Sequence, residues 1–524
     1  MLLRPLSLAL LCLGLAACGT EASQDTATPE TTSAQAEPML IERTVLFGNP
    51  ERASGQISPD GKWLGYLAPV DGVLNVWVAP ASAPDDARAV TSDTLRGIRM
   101  FAFSHATDHL VYLQDEGGDE NFHLFAVNIE TGEERNLTPF PGARAMPAGM
   151  SRQHPDEVLV QLNNRNPQYF DLHRVNVRTG EMTLVYENDE FAGFVADSDY
   201  AVRYASRATP DGGMQYYRAT DEGWVEDLKV DQVDSMTTAL SGFTEDGRTL
   251  YLIDSRERDT GALYARDLDS GEATLVHEDP RADIGQVLTD PATGEVRAVA
   301  VNYRRNQWHF LDEAMKADYD KLKALGDGEI SIASQTDDNR RWVVVLTASD
   351  DSAKYFVFDR DSGETSEWFD TRPALAGLPL QPMHDVVIPA RDGLELVSYY
   401  TLPRTADPDG DGRATRSSPL VLLVHGGPWA RDTYGLNGTH QWLANRGYAV
   451  LSVNFRGSTG FGKAFVNAGD LQWGRAMHDD LIDAVEWAVA QGITESDKVA
   501  IMGGSYGGYA TLAGLTMTPE VFAC

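Results

Sequence analysis

The sequence predicts an all-β seven-bladed propeller followed by part of an α/β domain built on a parallel sheet. Between residues 41 and 377, short alternating apolar runs are separated by Asp/Gly turns that return at a regular interval. After residue 377, unbroken apolar runs alternate with helical stretches, the pattern of strands buried on both faces. The stretch GGSYGGY, residues 503–509, falls where one such run ends and a helix begins.

The chain opens with MLLRPLSLALLCLGLAACGT, one arginine and then an apolar run too short and wrongly flanked to span a bilayer, so residues 1–17 are read as an export signal. Leu15-Ala16-Ala17-Cys18 resembles the bacterial lipobox. That resemblance implies cleavage before Cys18 and lipidation of Cys18. Gly19 in place of an aspartate implies a lipoprotein that is not held at the inner membrane. The expected location is the bacterial cell envelope, anchored by lipid at the outer membrane, with the body in the periplasm or at the cell surface. Residues 18–40, rich in Thr, Ser, Ala, Glu and Pro, have little to bury and are expected to be a flexible tether. Of three cysteines, Cys12 leaves with the signal, Cys18 is lipidated and Cys524 is the final residue. Stability therefore has to come from a sizeable core rather than from disulfides.

Residues 41–377 carry the repeats. SPDGKWLGYL begins at Ser58, SHATDHLVYL at Ser104, HPDEVLVQL at His154, DSDYAVRYA at Asp197, TEDGRTLYLI at Thr244, DPATGEVRAVAV at Asp290 and TDDNRRWVVVL at Thr336. The starts lie about 45 residues apart, the length of a four-stranded propeller blade, and seven starts imply seven blades. A second series of turns near Thr131, Thr179, Ser270 and Ser362 keeps the same place in its repeat. Aspartate caps its own turn and glycine supplies positive φ, so Asp60, Asp108, Asp156 and Asp246 are read as structural. The only amphipathic helical stretch in this region lies around Leu311 to Leu325.

The balance of 43 Lys+Arg against 78 Asp+Glu, a formal charge of −35, argues against nucleic acid or anionic lipid as a partner of the body. No cofactor or metal is expected. The insertion DPDGDGRATRSS, residues 407–418, copies the front half of a calcium loop, but its twelfth position is Ser418 rather than a bidentate glutamate, and it is read as a surface loop.

In residues 378–524 the runs PLVLLVHGG (419–427), YAVLSVNF (448–455) and KVAIMGGS (498–505) are the buried strands. HDDLIDAVEWAVAQG supplies a helix before the last of them, with Leu481, Val485, Ala488 and Val489 on one face. Strand, helix, strand and sharp turn are the setting that G-x-S-x-G requires, and they make Ser505 the candidate nucleophile. A serine hydroxyl needs a histidine base, and that histidine needs a carboxylate to fix its tautomer. The developing oxyanion needs preorganised donors; the backbone N–H of Tyr506 is in the usual place, with Gly427 as its partner.

LVHGGPWARD (423–432), NFRGSTGFGKAF (454–465), WGRAMHDDLIDAVEWA (473–488), GGSYGGYATL (503–512) and, in the repeat region, GDENFHLF (118–125) together resemble the prolyl oligopeptidase family of serine peptidases, in its acylaminoacyl-peptidase and dipeptidyl-aminopeptidase-like bacterial branch. The resemblance runs over nearly the whole mature chain. It implies a propeller over an α/β-hydrolase domain, cutting oligopeptides rather than folded proteins because the propeller restricts access. Several relatives carry tyrosine where His425 stands and use its hydroxyl as a donor, so histidine here points to backbone donors alone.

Residues 506–524 contain neither aspartate nor histidine. In α/β-hydrolases both triad partners follow the serine, so this chain is expected to be the front part of a longer enzyme, inactive as a fragment. His425, His440 and His478 precede Ser505 and are read as structural. A propeller-based binding lipoprotein with a hydrolase remnant, and an esterase, stand as alternatives. Cleavage specificity and oligomeric state are open.

Overall fold

The computed structural model describes residues 39–524. The expected signal segment, the lipidation residue Cys18 and the tether up to residue 38 lie outside the described residues. Seven small antiparallel sheets succeed one another along the chain, at residues 53–89, 101–136, 145–186, 193–230, 239–277, 284–310 and 329–370, each a meander of consecutive strands. These are the seven blades. The repeated Asp/Gly turns lead into the second strand of each blade, as at Trp63, His109 and Thr249. Their local chemistry is what the sequence implied: Asp60 accepts from the Ser58 hydroxyl at 2.8 Å and the Lys62 N–H at 3.1 Å, and Asp246 repeats this with Thr244 and Arg248 at 2.7 and 3.1 Å.

Neighbouring blades bury their apolar faces against each other, which is why no single sheet could stand alone. Val76 and Val78 of blade 1 meet Phe101, Phe103 and Leu110 of blade 2, and Val111 and Leu124 of blade 2 meet Val158 and Val160 of blade 3. Among the described residues no sheet contains strands from both ends of the propeller, and the ends meet through side chains and single hydrogen bonds. Ile57 and Leu64 pack on Val343, the Ile57 N–H donates to Ser334 Oγ at 2.9 Å, and Arg341 donates to the Gly61 carbonyl at 2.7 Å.

Two features differ from the sequence reading. Blade 6 has three strands, and the helix Glu313–Leu322 follows them, with Met315 and Leu322 buried on Trp342 of blade 7. The first blade strand begins at Ala53 rather than at residue 41. Ile41 and Leu46 are drawn instead into an apolar cluster with Leu375, Leu436 and Trp442, and Arg446 donates to the Ile41 carbonyl at 2.9 Å.

The α/β unit has five strands: β1 (Met383–Pro389), β2 (Glu395–Thr401), β3 (Leu420–Val424), β4 (Ala449–Val453) and β5 (Val499–Gly503), in the order β1-β2-β4-β3-β5. Strands β3, β4 and β5 are parallel, and β1 and β2 form an antiparallel hairpin at one side. Helices α1 (Gly438–Ala444), α2 (Lys463–Asn467), α3 (Ala476–Ala490) and α4 (Tyr506–Met517) complete it. Leu422, Val424, Leu451 and Val453 are buried with Leu481, Val485 and Ala488 of α3, as the unbroken apolar runs required. Among the described residues no helix is long and apolar enough to cross a membrane.

One charged pair is set inside this unit. Asp480 of α3 has no exposed side-chain surface; it receives the Arg456 guanidinium at 2.9 and 2.7 Å and the Arg456 N–H at 2.8 Å. Hydrogen bonding to Asp480 raises the Arg456 guanidinium above its ordinary value. The pair ties the loop after β4 to the first turn of α3. Removing Asp480 would leave the buried Arg456 with only the half-exposed Asp392, at 2.9 Å, as counter-ion, so Asp480→Ala should destabilise the α/β unit by about 3 kcal/mol. Denaturant titration checks this; a change inside about 1 kcal/mol would place the pair among ordinary surface bridges.

Candidate active site

The site follows from the register of two parallel strands. Val424 of β3 pairs with Gly503 of β5, so the residues just beyond them, His425-Gly426-Gly427 and Gly504-Ser505, emerge side by side. From β5 the chain turns at once into α4, and the turn is tight enough to dictate its residues. A methyl group on Gly503 would lie 2.6 Å from both the Val424 carbonyl oxygen and the Gly507 carbonyl carbon; one on Gly507 would lie 2.1 Å from that same oxygen. Only glycine fits at either place. Between them Ser505 is held at φ 56°, ψ −120°, a conformation that costs a non-glycine residue of order 1–3 kcal/mol and that persists because both flanks are fixed. Its side chain is exposed at the tip of the turn.

Gly426 runs against the serine: a methyl there would come within 3.3 Å of Ser505 Cβ and 3.8 Å of its Oγ. Gly427 follows at φ 125°, a backbone that favours glycine. The structure thus brings Gly426, Gly427, Ser505 and Tyr506 to one end of the sheet. Neither the Gly427 N–H nor the Tyr506 N–H enters a backbone hydrogen bond among the described residues. The Tyr506 N–H also opens the twelve-residue helix α4, whose positive end faces the turn. The Tyr506 side chain is buried, its ring 5.0 Å from Phe455 and 4.8 Å from Trp473, so this residue offers the turn its backbone and not its phenol.

The α/β unit has four histidines; His384 of β1 places Nε2 3.6 Å from the Asp407 carboxylate, and the other three are also engaged away from Ser505. His425 Nδ1 lies 2.7 Å from the Gly426 carbonyl and donates to it, and Nε2 lies 3.0 Å from the Ser458 hydroxyl, whose proton goes to the Phe455 carbonyl at 2.7 Å. Burial pushes its pKa down, and its ring stacks on Phe455 at 4.5 Å. His440 sits between Thr401 and Ser452 hydroxyls at 3.0 and 2.9 Å, its pKa pushed down to about 3 by burial. His478 bonds the Thr518 hydroxyl at 2.9 Å. No hydrogen bond joins any of them to Ser505.

In the acidic loop, carboxylate oxygens of Asp407, Asp409 and Asp411 lie within 4.8 Å of one another. Asp407 is buried and spends its oxygens on the N–H groups of Asp411 and Gly412, at 3.0 and 2.9 Å. What the sequence could not assign were Arg431 in WARD and Lys463 in GKAF, both of which reach across to the propeller. Their partners are a hundred or more residues away, and no local pattern marks them.

Because Gly507 has no room for a side chain, Gly507→Ala should displace α4 from β3 and cost several kcal/mol of stability. It should also abolish labelling of Ser505 by a fluorophosphonate. Normal labelling of a stably folded Gly507→Ala protein would show that the turn is looser than described.

Comparison with known proteins places the chain. Residues 434–524 match the prolyl oligopeptidase family. Dipeptidyl aminopeptidase BIII of Pseudoxanthomonas mexicana is 55% identical over 487 residues, covering 93% of this chain and 71% of that protein. Dipeptidyl peptidase family member 6 of Caenorhabditis elegans is 35% identical over 518 residues, covering 93% and 70%. The crystal structure of a puromycin hydrolase shares the fold, with a TM-score of 0.67 and 19% identity over 92% of this chain and 78% of that one. With a relative of this identity and coverage, and with the propeller and the serine turn in place, the chain belongs to the prolyl oligopeptidase family.

Proposed function

We propose that the protein is a serine peptidase that hydrolyses oligopeptides through an acyl-enzyme on Ser505. The observation that carries this reading is the serine turn itself: an exposed hydroxyl at φ 56°, a neighbouring loop within van der Waals reach, and two uncommitted backbone N–H groups beside it. In the reaction Ser505 Oγ attacks the scissile carbonyl carbon while a histidine takes its proton. Negative charge develops on the carbonyl oxygen, where the N–H groups of Gly427 and Tyr506 receive it. The amine leaves with the proton, and water then hydrolyses the acyl-serine. Two relatives bear dipeptidyl peptidase names, and release of dipeptides is the reaction mode we adopt for this chain.

The base is the part that the described residues do not supply, since none of the four histidines of the α/β unit hydrogen-bonds Ser505: His384 faces Asp407, and His425, His440 and His478 are bonded elsewhere. The 524-residue chain assayed by itself should therefore turn over peptides slowly or not at all, because losing triad members costs several orders of magnitude in kcat. In the enzyme expressed from its whole coding sequence, Ser505→Ala should abolish both fluorophosphonate labelling and release of dipeptides from peptide anilides. Undiminished cleavage by that variant would sink the assignment, and preferential turnover of simple esters would favour an esterase.

We further propose that Cys18 carries lipid and tethers the body to an envelope membrane, on the strength of its lipobox-like setting and of the Thr/Ser/Pro-rich segment after it. Cys18→Ser should move the protein from the membrane to the soluble fraction on cell fractionation. An unsubstituted protein found wholly soluble in the cytoplasm would refute this.

A further inference from the structure

The loop after β3 carries Gly427 and has few anchors in its own domain. The Thr459 N–H donates to the Ala430 carbonyl at 3.0 Å, and Asn454 brackets the Asp432 backbone, accepting from its N–H at 2.8 Å and donating to its carbonyl at 3.2 Å. Trp429, two residues past Gly427, is 56% exposed. His425 holds the start of the loop, its ring bonded to the Gly426 carbonyl and to Ser458, and the anchor beyond Gly427 that lies outside the domain comes from the propeller. Arg431 Nη1 donates to the Asn302 carbonyl at 2.7 Å and Nη2 to the Tyr303 carbonyl at 3.0 Å, both in the turn between the second and third strands of blade 6. The Phe461 ring lies 4.2 Å from the guanidinium carbon. Among the described residues no carboxylate lies within 4.0 Å of this cation. Burial pushes its pKa down; carbonyl dipoles and an aromatic face hold the cation directly, with Asp283 and Asp432 acting on it from beyond salt-bridge distance.

A second set of contacts ends at the same place. The segment 460–464 is bound to blades 4 and 5 and their connections: the Asp283 N–H donates to the Gly460 carbonyl at 3.2 Å, the Gly462 N–H to Asp283 at 3.2 Å, the Ala464 N–H to Asp259 at 2.8 Å, and Lys463 Nζ reaches Asp234 and the Ser255 carbonyl at 2.7 Å each. Thr459, at the start of that segment, is the residue that holds Ala430. The propeller thus grips the loop directly at residue 431 and, through one intermediary, at residue 430.

We propose that Arg431 is a positioning residue, through which docking of the propeller sets the Gly427 N–H at the place where the oxyanion develops. The inference rests on reading Gly427 and Tyr506 as the oxyanion donors. Tyr506 is fixed by the helix it begins and needs no outside help, whereas Gly427 lies on a loop whose last anchor belongs to another domain. A donor displaced by an ångström loses about a hundredfold in rate, and the planar fork of arginine spans two carbonyls where a lysine ammonium is a point charge.

The test uses the enzyme expressed from its whole coding sequence, with active sites counted by exhaustive fluorophosphonate titration and turnover measured on a dipeptidyl anilide. Arg431→Ala should lower kcat per titrated site by about a hundredfold, with KM within about threefold of the parent. Arg431→Lys should lose about tenfold. The rate of phosphonylation should fall in step, since its tetrahedral adduct uses the same N–H groups, and millimolar methylguanidine should restore part of the Arg431→Ala activity. If Arg431→Ala folds poorly, Arg431→Lys decides. Turnover per titrated site within about threefold of the parent, or a raised KM with kcat intact, overturns the inference. Ser505→Ala assayed alongside separates the two readings: if it still cleaves, the nucleophile assignment falls and this inference with it. If it is inert while the Arg431 variants are unaffected, only this inference falls.

Discussion

The closest approach in the α/β unit is between two stretches of backbone with nothing between them. The Val424 carbonyl of β3 lies where the Cβ of Gly507 would be, and Gly503 closes on Gly507 from the other side. With helix and strands that close, the chain has one residue in which to turn, and Ser505 takes a strained φ to do it. The strain is offset by the packing that fixes its flanks, including buried Tyr506 and Ala510 on α4. From this one constraint follow the exposure of the hydroxyl, the orientation of the α4 N–H groups and the nearness of Gly426.

The two halves of the molecule meet through a different kind of contact from those that hold each half together. Blades join through Val, Leu and Phe, and the sheet packs on α3 through Leu and Val. Between propeller and α/β unit the recurring contacts are polar: Arg431 on carbonyls, Lys463 on Asp234, and N–H groups on Asp259 and Asp283. Water can replace such bonds at small net cost, whereas an apolar core cannot be opened so cheaply. Domain interfaces of this composition permit relative motion, and here the interface is also the anchor of the loop that bears Gly427.

The number of blades was legible because most blades announce themselves locally: in five of the seven the turn's aspartate bonds its own backbone two residues on, as Asp60 and Asp246 do. The serine turn was legible for the same reason, its glycines being demanded by immediate neighbours. The helix Glu313–Leu322 was legible in the amphipathic stretch around Leu311 to Leu325, but its standing in place of a fourth strand of blade 6 was not, since that depends on where Met315 and Leu322 bury, on another blade. Nor was the docking of Ile41 and Leu46 beside Trp442, some four hundred residues away in the chain. The buried Arg456–Asp480 pair illustrates the limit well: both residues stand in stretches that carry the family resemblance, and Asp479 and Asp480 read equally as acids at a helix start. Only the fold shows that one is buried on an arginine and the other faces outward.

Catalysis by an activated serine has two separable requirements, a proton acceptor for the hydroxyl and a place for the negative charge that follows. In the function proposed for this chain, the described residues provide for the second. The N–H groups sit on elements that are rigid for reasons unrelated to substrate: a helix start on one side, a clamped loop on the other. The histidines show why the first is not met by the same elements. His425 and His440 engage both ring nitrogens with nearby hydroxyls or a carbonyl, and burial pushes the pKa of both down, so recruiting either as a base would mean breaking bonds that hold β2, β4 and the loop after β3 in place; His478 is bonded to Thr518 through Nε2. A base that must accept and return a proton in every cycle has to be free of such duties, oriented by a carboxylate alone. The fold keeps the two functions on different residues because a strut and a shuttle make opposite demands on an imidazole.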